Sequence, residues 1–280
     1  MIEYVVRGLL NGAVYALLAL PMSLLFATAA TVDFAVGAYA LLAAAVATSI
    51  AGPLGLVAGL LSAFAASAIM ALVFAGLRRS DEESIRVALA SFGLSVAIAS
   101  IVLIVWGTRA FVRPTFASVL QIGGLRINPQ GLINVAVSVS LVVLLYWLLR
   151  RTNLGRMMRA AAANPAGAEL SGIPVLGVQC TTILAGGLLG GTAGLLILHS
   201  SGLDFTASLG LTFIGFAAAI IFGITSPVRS LLGGLAMGVI EALSSGYTSG
   251  MVSSMVPSLF MLIVLMSGQL GANRFSGDRP

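Results

Sequence analysis

Few residues in this 280-residue chain carry side chains that could do chemistry. The single histidine, His199, and the single cysteine, Cys180, fall within or at the end of long apolar runs. A zinc site needs several N, S or O ligands, and none cluster around His199 in the sequence, so it reads as an interfacial residue. Cys180 has no partner for a disulfide within the chain. No Ser/His/Asp set, metal cluster or cofactor loop stands out, which leaves catalysis without support. No metal, cofactor or nucleic-acid partner is expected. All 14 basic residues are arginine. A phosphate loop of the G-x-x-x-x-G-K-[ST] kind needs a lysine to reach the β- and γ-phosphates, so this chain is not expected to hydrolyse ATP by itself.

Three carboxylates inside or beside apolar runs remain as candidates for a transport path. Glu241 lies in "GVIEALSSGY", where an ionised carboxylate costs on the order of 2.5–3.5 kcal/mol on insertion scales. It is expected either to tie helices together through Ser244, Ser245 or Tyr247, or to line a path that senses a solute. Asp33 in "TVDFAVGAYALLA" and Asp204 in "GLDFTASLGLTFIG" share an apolar residue, Asp and Phe ahead of small residues, at a separation of 171. Such self-similarity points to a weak internal repeat, the arrangement from which transporters build a site with broken helices. The alternative for both aspartates is capping of the following helix, whose positive end suits their charge. Phe34 and Gly37 stand with Asp33 as candidates for lining the path.

The elements that must position these groups follow from composition. Hydrophobic residues make up 59% and charged residues 8% of the chain, against roughly 25% charged in a soluble domain. Apolar runs fall at about 8–27, 34–51, 54–77, 87–106, 132–149, 175–198, 209–224, 230–247 and 251–268. A bilayer leaves unpaired backbone groups unsatisfied, so these runs must be helices. The expected fold is an all-α, polytopic transmembrane helical bundle of eight or nine spans forming one domain over 1–280, with the short seventh run able to be re-entrant. Met1-Ile2-Glu3-Tyr4 has no basic n-region, so the first run is expected to be retained as a span. With the N-terminus outside, ten arginines face the cytoplasm, among them Arg150, Arg151, Arg156 and Arg159, while Arg7, Arg109, Arg113 and Arg126 do not; this is the positive-inside asymmetry.

The segment "RRTNLGRMMRAAAANPAGAELSGIP", 150–174, breaks the apolar pattern. Thr152 and Asn153 precede good helix formers, and Asn164-Pro165 interrupts them. A second short helix starts there, with Asn164 as N-cap and Pro165 at its first position. Gly172 suits the left-handed turn that ends it. The arginines could simply hold membrane-lipid phosphates. The smooth run of Ala160 to Ala163, Ala166, Gly167 and Ala168 suits the close approach of another protein.

Three ordered blocks resemble the branched-chain amino acid ABC transporter permeases: "GLLNGAVYALLALPMSLLFATAATVDFAVGAYALLAA", "LGRMMRAAAANPAGAELSGIP" and "FAAAIIFGITSPVRSLLGGLAMGVIEALSSGY". The resemblance implies cytoplasmic coupling helices docked in a groove of separate ATPase subunits. By position, that role falls on Gly155, Arg156, Arg159, Ala163, Asn164, Ala168, Gly172 and Ile173. It also implies a bacterial inner-membrane location, a second permease subunit, an extracytoplasmic solute-binding protein, and branched-chain or other small amino acids as substrate. Urea, amides or another small organic solute are the alternatives. The family usually has an acidic residue near the junction where this chain has Ala163-Asn164, and an asparagine followed by histidine-glycine where it reads Asp33-Phe34-Ala35-Val36-Gly37. An ion-coupled secondary transporter would carry mid-membrane carboxylates, for which only Glu241 qualifies.

Glycine is frequent, at 33 residues, and is spaced for packing. Gly186, Gly190 and Gly194 share one helix face, Gly187 and Gly191 the next, with Gly8/Gly12 and Gly234/Gly238 in other runs. Small residues at this spacing let helix backbones approach in lipid. Pro21 and Pro257 mark expected kinks. The outer loop at about 107–131 contains "VLQI" and "LRIN" around Gly123-Gly124, a small hairpin that could receive a solute-binding protein.

Overall fold

The computed structural model describes residues 2–77, 83–113, 120–122, 125–224 and 227–247, with isolated helical positions between 256 and 266. The helices, in chain order, are α1 (Ile2–Ala29), α2 (Val36–Ser49), α3 (Pro53–Leu77), α4 (Glu83–Trp106), α5 (Pro129–Arg151), α6 (Asn153–Ala163), α7 (Pro165–Leu170), α8 (Val175–Ser200), α9 (Ala207–Ile221) and α10 (Pro227–Tyr247). Strands β1 (Leu120–Ile122) and β2 (Leu125–Ile127) lie between α4 and α5 and pair antiparallel, Gln121 opposite Arg126. They flank Gly123-Gly124 as the sequence pattern anticipates, and the two turn residues themselves lie outside the described ones.

Six of these helices are long and apolar enough to cross a membrane: α1, α3, α4, α5, α8 and α10. The runs at 34–51 and 209–224 fold instead as the 14-residue α2 and the 15-residue α9. At 1.5 Å per residue these reach only about 21–23 Å, short of a hydrocarbon core of about 30 Å. A count of eight or nine full spans is therefore not what the described residues contain. The run at 251–268, with Pro257, falls almost entirely outside them.

The core is built from α1 and α8, whose apolar stretches are 78% and 72% buried, against 28% for α4 and 11% for α5. The two run antiparallel: the Gln179 side-chain amide donates to the Thr28 carbonyl at 2.8 Å, and Gly186 faces Pro21, which lies inside α1. α4 and α5 present Ile104, Val105, Val143 and Trp147 outward, as lipid contact requires. The glycines pack as their spacing implies. On α8, Gly190 and Gly194 meet Val36 and Ala40 of α2, while Gly187 and Gly191 meet Ser67 and Ala63 of α3. A Cβ at Gly8 would lie 2.6 Å from Val239 Cα, and one at Gly12 would lie 2.8 Å from Leu235 Cα. Only glycine lets α1 and α10 approach that closely.

The separation of Asp33 and Asp204 extends to the elements. It carries α1, α2 and α3 onto α8, α9 and α10. Packing follows the same relation: α1 lies on α10 and α9, and α8 lies on α3 and α2. Because α1 and α8 are antiparallel, the two triplets form an inverted-topology repeat.

Candidate functional site

The segment at 150–174 folds as two short helices clamped onto the ends of α5 and α8. The Thr152 hydroxyl accepts from the Gly155 amide at 3.1 Å and starts α6. A Cβ on Gly155 would fall 2.5 Å from the Leu148 carbonyl oxygen, so α6 folds back directly against the last turn of α5. The Arg159 guanidinium donates to the Leu149 carbonyl, satisfying an orphan acceptor at that helix end. Arg156 donates to Asn153 within its own turn. Asn164 caps α7 by accepting from the Gly167 amide at 3.0 Å, with Pro165 in the first turn.

α7 ends in a Schellman motif. The Gly172 amide donates to the Glu169 carbonyl at 2.9 Å and the Ile173 amide to the Ala168 carbonyl at 3.0 Å. Gly172 takes φ +80°. Ile173 packs at the edge of a small apolar cluster of Met158, Ala161, Ala168, Val175 and Val178, which fixes both short helices to the start of α8. Of the eight residues assigned here from the resemblance, Arg156, Arg159, Ala163, Asn164 and Gly172 are exposed, whereas Gly155 and Ala168 are buried. Those two hold the hairpin's shape and present no surface. At the tip stands Leu170, 91% exposed, which the sequence reading passed over.

A second polar centre lies where α2 and α9 run side by side. α2 begins beside the middle of α8, with Val36 against Gly190. The Phe34 amide donates to Ser91 Oγ at 2.9 Å, and the Gly37 amide donates to Thr212 Oγ1 at 3.1 Å. The Thr212 hydroxyl in turn faces the Phe34 and Ser208 carbonyls, and Ser95 and Ser208 meet at 3.1 Å. Asp33 is buried; one carboxylate oxygen accepts from the Ala35 amide at 2.8 Å and the other from the Tyr39 hydroxyl at 3.0 Å. Asp204 is exposed and accepts from the Thr206 amide and hydroxyl at 3.0 and 2.6 Å. Ala35 and Thr206 are the N-caps of α2 and α9. Both aspartates thus bind the residue that opens the following helix, one step outside the usual capping geometry, and do so alike in both halves. The Phe34 ring packs 5.6 Å from Phe216 and borders a largely apolar cavity of 560 Å³ with Phe92 and Phe213.

Glu241 accepts from the Tyr15 hydroxyl across the α1–α10 interface. Ser244 and Ser245 donate to the Ile240 and Ala242 carbonyls of their own helix. The helix-tying reading of Glu241 therefore has a partner, and it is one far away in sequence. His199, at the end of α8, turns its Nδ1 to the Leu195 carbonyl at 2.8 Å.

The model of the family described as branched-chain amino acid transport system, permease component, matches residues 4–265. The chain belongs to this family. The permease is 26% identical over 290 residues to the high-affinity branched-chain amino acid transport system permease protein LivH of Escherichia coli (strain K12), covering 95% of this chain and 92% of that one. It is 28% identical over 189 residues to LivH of Salmonella typhimurium, a match covering 64% of this chain and 60% of that protein. It is also 29% identical over 138 residues to the nucleoside ABC transporter permease protein NupC of Lactococcus lactis subsp. cremoris, 46% of this chain and 43% of that one. No solved structure matches. The chain is therefore a multi-pass integral membrane protein and a permease component of an ABC transporter.

Three features of the permease escaped sequence reasoning. Leu170 reads as the last apolar residue of a short helix, and only the fold shows that none of the described residues covers it. Tyr15 lies amid leucines and alanines with no local sign of its distant acid. Arg113, expected only as an outer-loop cation, donates to the Ala47 and Ile50 carbonyls at 3.1 and 3.3 Å and so satisfies the end of α2. The loop after α4 is held there by a bridge between Phe111 and Leu203.

Proposed function

We propose that the permease forms, with a second permease subunit, the translocation path of a bacterial inner-membrane importer for branched-chain or other small amino acids. In this reading a separate ATPase docks on the exposed face of α6 and α7, and an extracytoplasmic solute-binding protein delivers the substrate. The observation that carries it is the hairpin itself: a surface of Arg156, Arg159, Ala163, Asn164 and Leu170 on short helices packed against the ends of α5 and α8. Force on α7 passes through Ala168 and Met158 to Val175 and so to α8. α8 packs on α1, α2 and α3, so a small displacement at the hairpin moves the central helices as one body. The apolar cavity at Phe34, Phe92 and Phe213 suits aliphatic side chains.

Uptake of labelled leucine should require the cognate ATPase and cease when its phosphate-loop lysine is replaced. Leucine uptake that persists with the ATPase disabled would overturn the reading. A nucleoside substrate is the second reading, favoured by the Lactococcus lactis relative. Competition of labelled leucine uptake by unlabelled guanosine separates the two.

A further inference from the structure

At the arginine-rich end of the bundle, a groove of 550 Å³ opens between the last turns of α1 and α5, the face of α6, and the start of α10. Its walls are apolar, formed by Leu24, Ala27, Met158, Ala162 and Val228, and its rim carries Arg150 and Arg159. The groove does not stop at the rim. Through Tyr146, Leu149 and Val228, which border both spaces, it adjoins a narrower slot of 170 Å³ between Leu20, Val142 and Leu231. From Arg150 at the groove back to Val142 in the slot, the two spaces together follow α5 for about 12 Å along the helix axis.

This shape matches a ligand with an anionic head and a hydrocarbon tail. The Arg150 guanidinium lies over the Tyr146 ring, 4.6 Å from its centre, which holds the cation at the groove. Arg159 gives one N–H to the Leu149 carbonyl, which places a second guanidinium at the same rim with donors to spare. Among the described residues, no carboxylate lines either space. The Thr28 hydroxyl, at the groove wall, is turned to the Leu24 carbonyl of its own helix. Two guanidinium groups with no carboxylate among the described lining residues, above an apolar slot running into the membrane-embedded helices, are what a phosphodiester headgroup with an acyl chain requires.

We propose that this groove is a binding site for one anionic phospholipid of the adjoining leaflet, its phosphate held between Arg150 and Arg159 and one acyl chain laid along Leu20 and Val142. The bound lipid bridges α5, which is embedded, to α6, which belongs to the docking hairpin. It therefore stiffens the joint on which any motion of the hairpin relative to the spans must act. Arg159 belongs both to this rim and to the proposed docking face, whereas Arg150 belongs to the groove alone.

The test uses the assembled transporter, delipidated in detergent and offered equal amounts of phosphatidylglycerol and phosphatidylcholine, with retained lipid measured by native mass spectrometry. Phosphatidylglycerol is expected to be retained in preference. Each arginine near an anionic headgroup is worth about fivefold, so Arg150→Gln/Arg159→Gln should weaken retention about 25-fold. Ala162→Phe, which fills the groove and keeps both arginines, should also lose the lipid. Arg109→Gln, at the other end of the bundle, should retain it. Equal retention of the two lipids, unchanged retention in both groove variants, displacement by free inorganic phosphate, or a second protein chain seated in the groove of the assembled transporter would each overturn the proposal.

Discussion

Leu170 projects into solvent from the tip of a helix whose remaining apolar groups are small, so its side chain gains only if something else covers it. Leu170→Asp is expected to leave folding and insertion unchanged and to weaken ATPase docking by about 2 kcal/mol, roughly 30-fold, the loss typical of a buried interface anchor. Co-purification of the ATPase with the variant measures it, and wild-type recovery would remove Leu170 from the docking surface. Ala168 behaves oppositely. It is buried against Met158 and Val175, so Ala168→Trp should disrupt the hairpin itself, with reduced accumulation of the protein as the readout. Tyr15 and Glu241 form a buried pair across two helices. Tyr15→Phe leaves the carboxylate without that donor and should cost about 1–3 kcal/mol in thermal unfolding, whereas Tyr15→Phe with Glu241→Leu should recover part of the loss.

At the scale of elements, the α1–α10 contact depends on backbone proximity. A Cβ at Gly234 would lie 2.5 Å from the Ala16 nitrogen, and the same crowding holds at Gly8 and Gly12. Gly12→Val should force the two helices apart and prevent stable accumulation, while Gly93→Val, which faces open space in the middle of α4, should be tolerated. Immunoblotting of membranes for the two variants separates packing from propensity, since both substitutions place valine in a helix interior. α2 and α9 show why length alone misleads. Their sequences are as apolar as those of the spans, yet α2 starts short because amides at its N-terminus are met inside the fold by side chains of other helices, and α9 because its first amides are met by Asp204 in the preceding turn. Ser91 and Thr212 satisfy amides at the start of α2, so no further helical turn is needed to satisfy them.

For the whole molecule, the arrangement of helix ends places Arg86, Arg150, Arg156, Arg159 and Arg229 at one end of the bundle and Arg7, Arg109 and Arg113 at the other. The positive-inside rule assigns the first end to the cytoplasm. In a Cys180→Ala background, Leu170→Cys should react with a membrane-impermeant maleimide only in inverted vesicles, and Arg109→Cys only in intact spheroplasts. Reaction of Leu170→Cys from the outside would reverse the topology and remove the basis for docking. The inverted repeat adds that the two halves carry the same local device, an aspartate bound to the N-cap of a short helix, once buried at Asp33 and once exposed at Asp204.

The sequence by itself determines that this chain lives in lipid, where its long apolar helices lie, and that Asn164, Pro165 and Gly172 punctuate the helical hairpin at 150–174. These are local properties: a bilayer forces helices on any long apolar run, and caps and left-handed glycines act within a few residues. The Asp33/Asp204 pattern is also legible, though too short to establish the repeat. Only the tertiary structure decides which surfaces face one another. It buries Gly155 and Ala168 while exposing Leu170, joins Glu241 to Tyr15, turns two apparent spans into shorter helices lying side by side, and opens a groove beneath Arg150 and Arg159. The reason is that these outcomes depend on contacts between segments more than a hundred residues apart in several cases, and in a chain so uniformly apolar many helix faces look alike until packing selects among them.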